Sequence, residues 1–333
     1  MFGDRNNRHV ISINDFSKDA LLELISFTSV MKSNPEVYRD SLVGWKAAEM
    51  FISNSTRTFE SFREAAEDLG AKARMGFRSP SGTSLEKGES VVATGQMYRG
   101  YGADVIITRS PHDGAALYLA DALDVDFETG LTDKRVWVID GGTGNKDHST
   151  QNMLDLYTFR EQYGKLDGLN CLVFGDLLYG RSIRFVLPLS LFGDLEVTFL
   201  SHPRLALADD IRGTLTERGV KFQEIFDPEA LPDVLPTVDF VYGSRNQENR
   251  YPETAEGEEL KREVRDFAVI NRKMMESIKP KDGFKIYHAL PVDRKHPCIV
   301  EHEIDRTSYC GYIKEAENGY HLRKALLYRM RHD

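Results

Sequence analysis

The sequence predicts an α/β protein of two doubly wound domains, each a mostly parallel sheet flanked by helices, joined by inter-domain helices. Two observations carry that prediction. Apolar runs of strand length alternate with helical periodicity almost throughout. The alternation also restarts after Gly164, giving two series of four or five strands instead of one long one.

The first series opens on a helix that Ser17 can cap, with Leu21, Leu24, Ile25 and Met31 among its apolar positions. Strand-like runs follow at 47–53 (AAEMFIS), 71–77 (AKARMGF), 103–109 (ADVIITR) and 135–140 (RVWVID). After the first of these, Phe59, Phe62, Ala66 and Leu69 recur at helical spacing, and Gly70 is placed to stop the helix. Residues 149–168 read as a connecting helix. The second series runs through 169–176, 195–201, 220–226, 238–244 and 284–291, and the basic stretch 317–333 reads as a closing helix. The expected domains are therefore 1–150 completed by helix 317–333, and 151–316.

A chain of 333 residues with 41% hydrophobic and 29% charged content has the means for two ordinary cores. Its net charge of −9 argues against a nucleic acid or a membrane surface as partner. The polar start MFGDRNNRHV lacks the apolar centre of a signal peptide, and no apolar run approaches the ~18 residues of a membrane span. Cys171, Cys298 and Cys310 form no metal-ligand spacing and no even disulfide set, so free thiols and a cytoplasmic location are expected.

In open α/β sheets, ligands bind outside the carboxyl ends of strands. Six polar clusters follow such ends. Ser55, Thr56, Arg57 and Thr58 fall at the first turn of a helix, where unpaired N–H groups, hydroxyls and a guanidinium would cradle a doubly charged anion. Arg57 there opposes the positive end of the helix dipole, a conflict that an arriving anion removes. Arg109 closes the run ADVIITR. The glycine-rich loop 141–151 ends on His148 and Gln151. Arg181 follows FGDLLYG, Arg245 and Gln247 follow VDFVYGS, and Leu290–Pro291 ends the last strand-like run.

This order of motifs resembles the aspartate/ornithine carbamoyltransferase family. The matching pieces are STRT, SLEKGE, TRSPHDGAA, DHSTQNMLDL, GDLLYGRS, SRNQENR, HALP and ENGYHLRKALL, from about residue 50 to the C-terminus. The resemblance implies that an amine attacks the carbonyl carbon of carbamoyl phosphate and phosphate leaves, with no cofactor and no metal. By motif, Ser55, Thr56, Arg57 and Thr58 would hold the phosphate. Arg109 and His148, with Thr58, would meet the carbamoyl oxygen, and Gln151 the carbamoyl NH₂. Arg57, Thr58, Arg109 and His148 are thus the expected catalytic residues. Arg181 and Arg245 would clamp the two carboxylates of aspartate, with Gln247 nearby and the carbonyls around Leu290–Pro291 orienting the amine. Ser84 and Lys87 would come from the adjacent subunit of a homotrimer, and regulatory chains are a further implied partner.

Aspartate is favoured over ornithine as acceptor because SRNQ resembles the aspartate enzymes' loop, and a second carboxylate calls for a second cation, Arg245. The chain departs from the family pattern at Ser53 (usually acidic), Phe59 (usually Arg), Ser149 (usually Pro), Leu178 (often Lys) and Val292 (usually Arg, with Arg294 near in sequence); Ala289 is a further difference. Two alternatives stand beside the aspartate reading: a carbamoyltransferase for another amino acid or amine, and a catalytically weakened paralogue.

Overall fold

Strand β1, Lys46–Phe51, is buried at every position after Lys46, as an interior strand of a parallel sheet must be. In the computed structural model, which describes residues 8–144 and 148–333, it is flanked by β2 (Lys72–Phe77) and β3 (Val105–Arg109). With β4 (Trp137–Asp140) they form a parallel sheet in the order β2-β1-β3-β4. Residues 1–7, and 145–147 of the glycine-rich loop, lie outside the described residues.

The helices of this half follow the sequence's caps. Helix α1, Lys18–Ser33, starts where the Ser17 hydroxyl accepts from the Ala20 N–H, and Leu21, Leu24, Ile25 and Met31 are its buried face. A short α2 (Pro35–Tyr38) follows. Helix α3, Thr56–Asp68, buries Phe59, Phe62, Ala65 and Ala66. It stops at Gly70, whose φ of +84° suits glycine and where a side chain would meet the Asp40 backbone and Val43. Helices α4 (Val91–Gly100) and α5 (Ala115–Glu128) precede β3 and β4. Ala48, Met50, Ile106, Leu119, Leu123 and Val138 form a core against them, each large side chain contributing about 1.5–3 kcal/mol on burial.

Helix α6 covers Ser149–Tyr163 and ends five residues before the expected limit of 168. Gly164, at φ +69°, accepts the helix's end: its N–H bonds the Arg160 carbonyl at 3.0 Å, and the chain turns toward the next strand. The second sheet holds β5 (Asn170–Gly175), β6 (Glu196–Leu200), β7 (Lys221–Ile225), β8 (Phe240–Ser244) and β9 (Lys285–His288). All pair in parallel, in the order β7-β6-β5-β8-β9. Leu172, Phe174, Val241, Ile286 and Ile299 centre its core. The C-terminal helix, Tyr312–His332, begins five residues earlier than 317.

The chain divides into two compact units, Met1–Tyr157 with Asn318–Asp333, and Thr158–Glu317. Among the described residues no helix is long and apolar enough to cross a membrane. The three cysteines are free thiols, and burial pushes all three up, Cys298 to about 12, which leaves them weak nucleophiles.

Candidate active site

Strand order fixes where each unit can hold a ligand. In the first sheet the connections run to opposite sides of the gap between β1 and β3, and in the second of the gap between β5 and β8. Such switch points leave a crevice beyond the carboxyl ends of the strands. The predicted arginines stand at or after the carboxyl ends of those four strands.

In the first unit Phe51 of β1 stands opposite Arg109 of β3. The Ile52 N–H bonds the Arg109 carbonyl at 2.7 Å, which sends the chain after β1 across the end of β3. Ser55 then occupies the N-cap of α3, but its hydroxyl makes no capping bond, and the first turn holds no acidic residue. An anion could therefore take the place of a side-chain cap at this helix start. Thr56 and Arg57 are exposed, Ser55 is half-buried and Thr58 is buried.

Arg109 is held by its neighbours on the same edge. Its Nη1 donates to the Gly141 carbonyl beyond β4 at 2.7 Å and lies 3.5 Å from His148 Nε2. His148 is 7% exposed, and its carbonyl accepts from the Gln151 and Asn152 N–H groups as α6 begins. Gln151 is 9% exposed and donates from Nε2 to Asp155 Oδ1 at 2.8 Å. The loops that follow β3 and β4 touch at Gly144, φ +55°, where a side chain would collide with Asp113. Arg109 at the end of β3, His148 just before α6 and Gln151 in the first turn of α6 thus gather at one edge of the sheet. Ser84 and Lys87 lie apart from them in sequence, on an exposed turn, Ser84–Lys87.

Phe59 has a structural reason where the family pattern has an arginine. Its ring meets Phe51 at 5.2 Å and 90°, with the Arg63 guanidinium 4.4 Å and the Arg78 guanidinium 5.0 Å from its centre. Arg63 in turn donates to Glu49 Oε2 at 2.9 Å; Glu49 is wholly buried on β1. Burial pushes the Glu49 carboxyl up to about 7, against the pull of Arg63 and helped by Glu60 and Glu67. The folded value lies above the unfolded one, so Glu49's contribution is full below pH 4.5 and fades as pH rises toward 7. Between pH 5 and 8 the native chain should therefore lose about 2–3 kcal/mol of stability relative to Glu49→Gln, read from denaturation at each pH. Parallel pH curves would remove this account.

In the second unit one buried carboxylate ties together the stretches that carry Arg181, Arg245 and Gln247. Asp176, just past β5, accepts from the Tyr179 N–H at 2.9 Å, the Gln247 N–H at 2.9 Å and the Tyr251 hydroxyl at 3.2 Å. Its own carbonyl accepts from Ser244 Oγ at 2.8 Å. Burial pushes its carboxyl above the ordinary range, and these donors pull the other way. The stretch ending in Gly180–Arg181 is thereby tied to the stretch bearing Arg245 and Gln247. Gly180 admits no side chain, because one would collide with the Asp176 carbonyl and Ser244. Arg181 opens the turn Arg181–Phe185, Arg245 is half-buried, and Gln247 Nε2 bonds the Arg245 carbonyl at 3.2 Å. Asp176 and Tyr251 went unassigned in the sequence reading, although Asp176 stands inside the motif GDLLYGRS.

Beyond β9, Leu290 has a φ of +40°, rare for leucine, and its peptide bond to Pro291 is cis. The Leu290 N–H donates to His288 Nδ1 at 2.9 Å, and the His288 N–H to Glu315 Oε2 at 3.0 Å. The backbone around Leu290–Pro291 is thus held in one arrangement. Val292 is buried, whereas Arg294 is nine-tenths exposed and 3.8 Å from Glu301.

Comparison with known proteins gives one answer along the whole chain. Residues 8–161 match the carbamoyl-P binding domain of aspartate/ornithine carbamoyltransferase, and residues 167–330 its Asp/Orn binding domain. The aspartate carbamoyltransferase catalytic subunit of Hyperthermus butylicus is 36% identical over 326 residues, covering 96% of this chain and 95% of its own. That of Thermococcus gammatolerans is 35% identical over 331 residues, covering 97% of each. Among solved structures, the catalytic subunit of M. jannaschii aspartate transcarbamoylase superposes with a TM-score of 0.81 at 31% identity, over 97% of both chains. The chain belongs to the aspartate/ornithine carbamoyltransferase family.

Proposed function

We propose that this chain is an aspartate carbamoyltransferase, moving the carbamoyl group of carbamoyl phosphate to the amine of L-aspartate to give N-carbamoyl-L-aspartate and phosphate. The observation that carries the reading is Arg109, bonded to the Gly141 carbonyl and 3.5 Å from His148, on the same sheet edge as the uncapped start of α3. The full-length relatives, which are named aspartate carbamoyltransferase catalytic subunits, support the choice of reaction.

The amine lone pair adds to the carbonyl carbon and its oxygen gains negative charge; the carbonyl then re-forms as the bond to the phosphate oxygen breaks, its electron pair leaving on phosphate, which takes up the proton that the attacking nitrogen releases. Ser55, Thr56, Arg57 and Thr58 hold the phosphate and neutralise the charge it takes away. Arg109, His148 and Thr58 meet the carbonyl oxygen as it becomes an oxyanion, and Gln151 holds the NH₂. Groups already in place there need no reorganisation as charge develops, the largest source of rate in such sites. Arg181 and Arg245 pair with the acceptor's two carboxylates, Gln247 adds a polar contact, and the carbonyls about Leu290–Pro291 accept from the amine. Two cations for two carboxylates favour aspartate over ornithine. Ser84 and Lys87 serve a neighbouring subunit's site in a homotrimer, and the cytoplasm is the working compartment.

The purified chain should form carbamoyl-aspartate and phosphate from the two substrates, faster than it carbamoylates ornithine or other amino acids. A bisubstrate phosphonate–aspartate mimic at a hundred times its Kd should stabilise it by about 2.7 kcal/mol. No turnover, or a better acceptor than aspartate, would sink the assignment.

A further inference from the structure

A side-chain amide can face a ligand with either end, and for Gln151 the two ends mean opposite things. A carbamoyl NH₂ needs an acceptor, so only the Oε1 end serves it. Gln151 Nε2 donates to Asp155 Oδ1 at 2.8 Å, one helical turn further along α6. A carboxylate accepts and does not donate, so the bond commits the NH₂ of Gln151 to Asp155 and turns its oxygen the other way. Asp155 is wholly buried.

Behind this pair lies Arg323 of the C-terminal helix, 3% exposed. Burial pulls its guanidinium down to about 10, and the Asp155 charge works against that fall. Arg323 Nη1 donates to Ser61 Oγ at 2.7 Å, and Nη2 lies 3.5 Å from Thr150 Oγ1. Ser61 Oγ in turn bonds the Arg57 carbonyl at 2.6 Å and approaches the Thr58 carbonyl at 3.1 Å. The guanidinium also covers the Phe62 ring at 5.1 Å. One buried cation thus contacts Ser61, which bonds back to Arg57 one turn earlier on α3, and Thr150 on the helix that carries Gln151.

The geometry points to Asp155 and Arg323 as positioning residues: Asp155 orients the Gln151 amide and Arg323 ties that amide to the start of α3, so that together they select an acyl phosphate ending in NH₂ over one ending in CH₃. This rests on Gln151 as the holder of the carbamoyl NH₂. Acetyl phosphate, which carries a methyl in place of the amine, is the probe.

The test measures, on the purified full chain at fixed aspartate, the KM for carbamoyl phosphate and the inhibition constants of acetyl phosphate and inorganic phosphate. Asp155→Asn is nearly isosteric and can donate to Gln151, which frees the amide to turn. It should cut the preference for carbamoyl over acetyl phosphate about tenfold, while phosphate affinity stays within about twofold. Gln151→Ala should lose the same preference. If Gln151→Ala keeps it, the reading of Gln151 is wrong. If Gln151→Ala loses it and Asp155→Asn keeps it, or Asp155→Asn weakens phosphate equally, the positioning role is overturned while the Gln151 reading stands. Should Asp155→Asn not fold, Arg323→Lys carries the test. It keeps the charge but cannot reach Ser61 and Thr150 together, and about a threefold loss of preference is expected; an unchanged preference overturns the role.

Discussion

Arg57→Ala is expected to lower kcat about a thousandfold, roughly 4 kcal/mol of transition-state stabilisation, with little change in the affinity for aspartate. The leaving phosphate gains charge as the bond to carbon breaks, and Arg57 is the cation in the first turn of α3. In that position its charge is unfavourable toward the helix dipole until an anion arrives. Its side chain is exposed, so removing it should shift stability by no more than about 0.5 kcal/mol, separating a chemical loss from a folding loss. His148→Ala, acting on the carbonyl oxygen, should cost about a hundredfold by the same assay. Activity within a few-fold of wild type in Arg57→Ala would remove the phosphate cradle from α3.

Much of this was legible because it is local. Of the nine strands among the described residues, eight lie within the apolar runs read from the sequence and β1 begins one residue early, at Lys46; the helix stops at Gly70 and Gly164 follow from glycine's tolerance of positive φ. The arginines at or after the ends of β1, β3, β5 and β8 were placed by the alternation itself. What the alternation could not show is which strands are neighbours. Only the order β7-β6-β5-β8-β9 brings the loop after β5 beside the loop after β8, so Asp176 reads as one polar residue in a turn until Gln247 and Tyr251 are found on it. Arg323 is similar: in a basic C-terminal stretch it looks like one solvated charge among several, yet it is buried on Ser61. Phe59 was visible as a departure, but the cations over its ring are Arg63 of the same helix, itself tied to Glu49 on β1, and Arg78 just past β2, far away in sequence. Charges in a local pattern are read as surface; only long-range pairing reveals the buried ones.

Asp176 supports the second large prediction, because its carboxylate has no substitute. Donors from two loops converge on it in the interior, among them the Tyr179 and Gln247 backbone N–H groups that no rotamer change can turn away. Asp176→Ala leaves those donors unsatisfied and should cost about 3–5 kcal/mol, lowering the thermal midpoint by roughly 10 °C. Asp176→Asn keeps the shape, but its NH₂ faces a donor and forfeits one of the bonds, so it should fall between wild type and alanine. The kinetic consequence separates the units. With Arg181 and Arg245 released from a common anchor, the KM for aspartate in Asp176→Asn should rise at least about tenfold, while carbamoyl phosphate should bind as before, since the residues proposed to hold it belong to the first unit. Equal losses for both substrates would mean that Asp176 holds up the protein at large and not the loops of the acceptor.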